Sequence, residues 1–262
     1  MFKSCTLLIG IYIISTSIVF SQRKFKQENQ VDGISITPSV GVGSVVGELG
    51  NIFSIKPVYG INIDKGISEK VNIGIDIVGG NLQGNENEPY FSEFRSDYFQ
   101  VQTLGVLNIS RYFITSYNKN VFELKIYGGF GMVWFHTDVF DIKSGLFLRA
   151  TSESASKHTT LFQPTGTGIG EAGIYYTRES VIPLGIKLDY KLSKDLMFNL
   201  SMGYNWVNND KLDGTTLYNI LNPSVTAGVN SYSDTMNDGW INLSIGLKYI
   251  FSFQRSRNQR GV

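Results

Sequence analysis

The chain has little of what most chemistry at protein sites requires. Its single cysteine, Cys5, lies near the N-terminus, and its only histidines are His136 and His158. If the N-terminal segment is removed, disulfide bridges, cysteine-bound metals and a cysteine nucleophile are all excluded. Charged residues make up 17% of the chain, against ~25% in typical domains. Beyond the N-terminus there is no apolar run of about 18 residues or more, which excludes a membrane protein built from helices.

The N-terminal segment has the features of an export signal. Lys3 supplies the charged start, residues 7–20 are apolar, and small Ser21 precedes a cleavage site at Gln22. We predict a signal peptide over residues 1–22. Its removal takes away one of 23 basic residues and leaves the rest balanced by 22 acidic ones. This balance predicts no nucleic-acid partner.

The rest of the chain alternates apolar and polar residues with period two, which is typical of strands that have one apolar and one polar face. The alternating segments are 34–45, 54–64, 70–79, 98–113, 120–136, 180–192, 196–207 and 240–253. In segment 98–113 the alternation is irregular, so its outward face stays open, and a bulge is one explanation.

The lengths of the connections predict the architecture. Short turns at 65–69, 114–119 and 193–195 alternate with long loops at 46–53, 80–97, 137–179 and 208–239. Short turns at one end and long loops at the other are typical of a transmembrane barrel. We therefore predict an all-β fold, an eight-stranded antiparallel transmembrane up-and-down β-barrel over residues 34–253. Residues 23–33 would form a periplasmic stub and residues 254–262 a basic periplasmic tail.

A soluble barrel or sandwich is the alternative, and three observations argue against it. The polar face is rich in Gly, Ser and Asn rather than the long charged side chains of a solvated face. Trp134, Trp206 and Trp240 fall at one rim and form a predicted outer aromatic belt. Other aromatics collect at the opposite rim, and the leader exports the chain. We expect a bacterial outer-membrane location, with the lipid bilayer and lipopolysaccharide as partners, loops extracellular and both termini periplasmic.

The predicted inward face carries charge. Five lysines and four carboxylates lie on it: Lys56, Asp64, Asp76, Glu123, Lys125, Lys187, Asp189, Lys191 and Lys248. Charges in a narrow interior are tolerated when they are paired. We predict a salt-bridge network that plugs the barrel, with a gated ion path as the alternative.

Candidate sites for chemistry are weak. His136 and Asp138 lie at the outer rim, where Ser144, Ser152 or Ser154 would be a candidate nucleophile for lipid chemistry. The run 166–170 superficially matches a phosphate loop, but no strand precedes it and no helix follows it. The acidic segments 85–97 and 208–214 lack the full spacing of a calcium loop. We expect solvated loops, no enzyme activity, no metal and no cofactor.

The last strand carries a resemblance. Its ending, with Gly246, Tyr249, Phe251 and Phe253, resembles the closing strand of bacterial outer-membrane barrels and the signal read by the barrel assembly machinery. Residues 36–84, 107–110, 208–214 and 237–240 resemble the small OmpA-like barrels of the Bacteroidetes. Nine residues follow Phe253, so we expect no peptidoglycan-binding domain of the OmpA type.

The resemblance implies a non-enzymatic barrel. Such a protein is structural or an accessory subunit of a cell-envelope complex, whose long extracellular loops interact with other outer-membrane or periplasmic proteins. A subunit of type IX secretion or gliding machinery is one alternative. A lipid-modifying barrel enzyme and a small pore are the others.

Overall fold

The computed structural model describes most of the chain from residue 33 onwards. The described residues are 33–47, 49–50, 54–87, 90–113, 121–151, 162–163, 176–208, 211–214 and 237–251. Several predictions lie outside these residues: the signal peptide, the basic tail, the 166–170 run, His158 and Phe253.

Ten strands and one turn of helix make up the described fold. The strands are β1 (Ile34–Val46), β2 (Lys56–Gly66), β3 (Val71–Glu86), β4 (Ser92–Asn108), β5 (Phe122–Asp141), β6 (Phe147–Thr151), β7 (Phe162–Gln163), β8 (Thr177–Lys191), β9 (Leu196–Val207) and β10 (Gly239–Phe251). The helical turn, α1, is Ser110–Phe113 and follows β4. Within the described residues, no helix is long and apolar enough to cross a membrane.

Eight of the strands close into a barrel. From β1 to β5 each strand pairs antiparallel with the next, and β5 then pairs with β8. From β8 the pairing continues through β9 and β10 and returns to β1. The predicted eight-stranded antiparallel barrel is therefore confirmed. Strands β6 and β7 continue as an added hairpin from the end of β5 near Asp141. We call this end of the barrel, which carries the long connections, the outer end, and the end with the short turns the inner end.

Alternate residues of each strand point out of and into the barrel, as the pleat requires. The outward side chains of the inner two thirds are apolar and exposed, as at Ile61, Ile75, Leu184 and Ile245. Opposite them, most of the inward side chains are small or polar, and they are buried or half-buried. Inward glycines make room: a Cβ on Gly203 would lie 2.1 Å from the hydroxyl of Tyr127, which lies across it inside the barrel. This part of the barrel therefore has an apolar outer surface and a largely polar interior.

Two predicted connections are wrong in the same way. Segment 80–97 was expected to be a loop, yet β3 runs to Glu86 and β4 begins at Ser92. Strand β5 also continues beyond the predicted end, to Asp141. Beyond Gly80 the outward residues become polar and the inward ones apolar. Because the apolar residues change from one face of the strand to the other at this point, the sequence pattern does not show that the strand continues.

The face of β4 is resolved. Its even-numbered residues point inward, and its pairing with β3 runs without a register break from Ser92 to Leu107, so there is no bulge in it. The alternation is irregular because apolar Leu104 and Val106 lie inside while Thr103 and Gly105 face outward. The strand ends at Asn108 rather than at residue 113, where α1 takes over.

Candidate functional site

The inner half of the lumen holds paired charges. The ammonium of Lys125 lies 2.8 Å from a Glu123 oxygen and 2.7 Å from a carboxylate oxygen of Asp189. All three side chains are buried, and they come from the adjacent strands β5 and β8. Charges taken out of water persist only when they are paired in this way.

A second lysine joins the carboxylates across the barrel. Lys248 on β10 lies 3.4 Å from Asp64 on β2 and 3.7 Å from Asp189 on β8. Asn199 also donates a hydrogen bond of 2.5 Å to Asp189. The network therefore links strands that are not neighbours, and it bridges the lumen at this level.

A cation that the sequence did not predict lies at the inner mouth. Arg111 on α1 lies 2.8 Å from Glu123, with only 9% of its side chain exposed. Arg111 was not predicted here because segment 98–113 was expected to be a single strand. The strand ends at Asn108, and the helical turn that follows places Arg111 beside Glu123. The sequence signal is a basic residue just after β4, close in the strand pairing to Glu123, which faces the lumen.

The other predicted charges lie apart from this chain of pairs. Asp76 accepts a hydrogen bond of 2.8 Å from Gln102, and Lys187 lies 5.1 Å from the ring centroid of Tyr127. Lys56 and Lys191 lie at opposite ends of the barrel and are only half-buried. Both belong to the rims rather than to the network, because each sits at the end of its strand.

The outer half of the lumen is filled by apolar side chains, which the sequence reading did not anticipate. We call this cluster the plug: Val45, Leu49, Val58, Val78, Leu82, Phe94, Tyr98, Val133, Phe135, Val139, Val181, Val207, Leu212 and Trp240. Trp240 was predicted in the outward belt, but it points inward and is fully buried. It shares the parity of the inward Asn242 and Ser244, which places it inside. Its ring centroid lies 5.1 Å from that of Tyr98.

The connection after β9 folds back into the plug. We call its described part, 211–214, the latch. Asp238 accepts hydrogen bonds from the backbone N–H groups of Leu212 (2.8 Å) and Asp213 (3.3 Å). Asp213 in turn accepts one of 2.8 Å from the N–H of Leu49. Both carboxylates are buried, so the expectation of a solvated acidic loop is wrong for this segment. Burial lowers the pKa of Lys211, while the charge of Glu179 opposes that shift.

Aromatic residues ring the outside of the wall at both ends. Trp134 packs beside Phe99 with ring centroids 6.0 Å apart, and Trp206 also points outward. At the inner rim, Phe122 lies 4.8 Å from Tyr190, and Tyr249 lies 4.7 Å from Phe251. Of the residues in the assembly signal, Tyr249 and Phe251 are exposed on this rim, and Gly246 is buried facing inward.

Above Trp134 the outer wall of β3, β4 and β5 is polar. Strand pairing aligns its outward side chains in three rows: Asn81, Asp97 and His136; Gln83, Arg95 and Asp138; and Asn85, Glu93 and Phe140. We call this surface the outer wall. Part of it lines a cleft of about 500 Å³, together with Lys56 and Pro57.

Of the candidate nucleophiles for lipid chemistry, the structure describes only Ser144, and its hydroxyl is bonded elsewhere than at His136. His136 lies 3.1 Å from Asp138, two residues along the same strand. The hydroxyl of Ser144 instead donates to Asp141 at 2.7 Å, and hydrogen bonds from Ser144 lower the pKa of that carboxyl. Ser152 and Ser154 lie outside the described residues. Among described side chains, no group of three or more His, Cys, Asp or Glu is arranged to hold a metal ion.

Comparison with known proteins gives structural likenesses only. No protein-family model and no curated protein matches the chain. Ail of Yersinia pestis is 10% identical and covers 83% of this chain and 99% of its own, with a TM-score of 0.41. Neisserial surface protein A is 12% identical over 83% of this chain and 97% of its own, at 0.40. A major outer membrane protein from Thermus thermophilus is 12% identical over 83% and 99%, at 0.42.

Proposed function

We propose that this chain is an integral protein of the bacterial outer membrane with a closed lumen, and that it works as a non-enzymatic interaction platform at the cell surface. The observation that carries the proposal is a reversal of polarity along the barrel. Below the row of Phe99 and Trp134, most outward residues are apolar and most inward residues are polar or small. Above it, Asp97 faces out while Leu82 and Phe94 face in.

The reversal supports a membrane boundary at that row. Burying a large apolar side chain stabilises a protein by about 1.5–3 kcal/mol relative to leaving it in water. An exposed band of Ile, Leu and Val around the wall would lose that stabilisation in water. A bilayer removes that cost. Beyond the bilayer the same strands meet water, and the ordinary rule of apolar inside and polar outside returns. The same strands are therefore suited to the bilayer over one part of their length and to water over the rest.

The filled lumen supports a role other than conduction. Arg111 pairs with Glu123 at the inner mouth, Lys125 and Lys248 bridge the inner half of the lumen, and the plug fills the outer half. Two cavities lined by described residues of the lumen measure about 50 and 60 Å³. These volumes fit a few waters rather than a continuous path.

The outer tip supports interaction with a protein. Phe91 and Leu146 are exposed there, on neighbouring turns that are joined by a hydrogen bond from the N–H of Ile142 to the carbonyl of Phe91. Phe91 also has a φ of 47°, a conformation costly for a bulky residue and common at functional sites. This tip and the family resemblance support a subunit role in a larger envelope complex, with secretion or gliding machinery as one candidate.

Two measurements test the proposal. Purified full-length protein added to planar bilayers should show no conductance steps, whereas a general porin gives them under the same conditions. Steady open-channel current would overturn the closed lumen. In cells, gentle detergent extraction should recover a protein partner with the native chain and lose it with Phe91→Ser and Leu146→Ser together. An equal yield from both chains would remove the tip from the proposed role.

A further inference from the structure

We propose that the outer wall binds the phosphorylated sugar headgroup of an outer-leaflet glycolipid whose acyl chains lie against the apolar band below. The inference rests on the proposed membrane location and assigns a ligand to one face of the barrel. It concerns the rows above Phe99 and Trp134 on strands β3, β4 and β5.

Position is the first argument. The row of Gly79, Phe99 and Trp134 is followed directly by the row of Asn81, Asp97 and His136. One row is two residues along the strand, or about 6.6 Å. Aromatic rings at this depth mark the edge of the hydrocarbon, so the polar rows begin where lipid headgroups begin. A glycolipid in contact with the band places its sugars against these rows.

The second argument is chemical complementarity. Sugar hydroxyls both donate and accept, and the wall offers amides, carboxylates and a guanidinium on one surface. Arg95, with 66% of its side chain exposed, is placed to pair with a phosphate, and Lys56 lines the same cleft. Phe140 presents a ring for the apolar face of a sugar, with the Arg95 guanidinium 5.2 Å from its centroid.

The third argument is that the side chains are already ordered. Asn81 donates to Asp97, and Gln83 donates to Glu93 at 2.9 Å. Arg95 lies 3.0 Å from the same Glu93. Side chains held by one another lose little entropy on binding, which favours a ligand site over a freely solvated face. The cleft of about 500 Å³ lies within the range of small-molecule sites.

The test uses full-length protein in dodecyl maltoside and fluorescently labelled deep-rough lipopolysaccharide, with binding followed by anisotropy. Arg95→Ala and Asp97→Asn should each weaken binding about tenfold, the size expected for one charge-assisted hydrogen bond. The matched control is Lys65→Ala, which removes one positive charge from an exposed position at the opposite rim and should bind as the native chain does. Phosphatidylglycerol micelles should compete poorly.

The outcomes separate cleanly. Unchanged affinity in both outer-wall variants would overturn the site, and so would an equal loss in Lys65→Ala, because binding would then follow net charge alone. Heat-dependent gel mobility verifies that each variant is folded. If the native chain fails to insert into lipid vesicles, the membrane proposal itself falls. If it inserts but Arg95→Ala and Asp97→Asn bind normally, only the headgroup site falls.

Discussion

Tyr98 and Trp240 meet across the full width of the barrel. Their strands, β4 and β10, are separated by three others in either direction around the cylinder, yet their ring centroids lie 5.1 Å apart at a tilt of 57°. An eight-stranded barrel is narrow enough for two large side chains to span it. The contact lies within the plug, at the level where the outside of the wall changes from apolar to polar.

The inward position of Trp240 gives a direct spectroscopic prediction. The chain has three tryptophans, so pairwise replacement by Phe leaves each one alone. In vesicles containing lipids brominated near the headgroups, the fluorescence of Trp134 and Trp206 should be quenched strongly, because both face outward. Trp240 should be quenched weakly, since the barrel wall lies between it and the lipid. Equal quenching of all three would contradict its placement inside.

Truncation of Trp240 should destabilise the barrel more than truncation of an outward tryptophan. Trp240→Ala leaves a void in the plug and should lower the free energy of unfolding by about 3–5 kcal/mol. Trp206→Ala is the matched control and should cost less, because lipid can fill the space outside. Urea titration in vesicles, followed by gel mobility, measures both. A smaller effect for Trp240→Ala would show that the plug relaxes around the void.

The charged layer should be intolerant of losing one member. Lys125→Met removes the cation from between Glu123 and Asp189, and should cost about 3–5 kcal/mol because buried Asp189 loses its nearest cation and Glu123 keeps only Arg111. Adding Asp189→Asn should restore part of the loss, since one of those charges is removed as well. The same urea titration checks this double variant. An additive loss in the pair would show that Lys125 and Asp189 do not depend on one another.

The sequence predicted the barrel strands, because their apolar and polar residues alternate along the chain. Alternation predicts the strands because side chains in a strand point alternately to the outside and the lumen, and the connection lengths predict the barrel. Alternation fails beyond Gly80, where the outward residues become polar and the inward ones apolar. Trp240 was wrongly predicted in the outer belt. It lies two residues before the inward Asn242 on the same strand, so the alternation of the strand places it inside.

The remaining misses depend on contacts distant in sequence. Leu49 and Asp213 are 164 residues apart, and no local pattern indicates that the backbone of one meets the carboxylate of the other. Arg111 lies in a short segment whose sequence shows no helical period. The pairing of Lys125 with Asp189 was within reach, because both were predicted on inward faces, but the choice of partners needed the strand order.

The latch should open when its buried acceptor is weakened. Asp238→Asn replaces the carboxylate that receives the N–H groups of Leu212 and Asp213, and should cost the latch about 1–3 kcal/mol. The strand ladders do not depend on these bonds, so the barrel should stay folded. Amide exchange of Leu212 should therefore accelerate strongly, while amides in the middle of β9 keep their protection. Asp195→Asn, in the turn at the other end, is the control and should change neither. If Leu212 keeps its protection in Asp238→Asn, packing of its side chain in the plug, rather than the carboxylate, holds the latch closed.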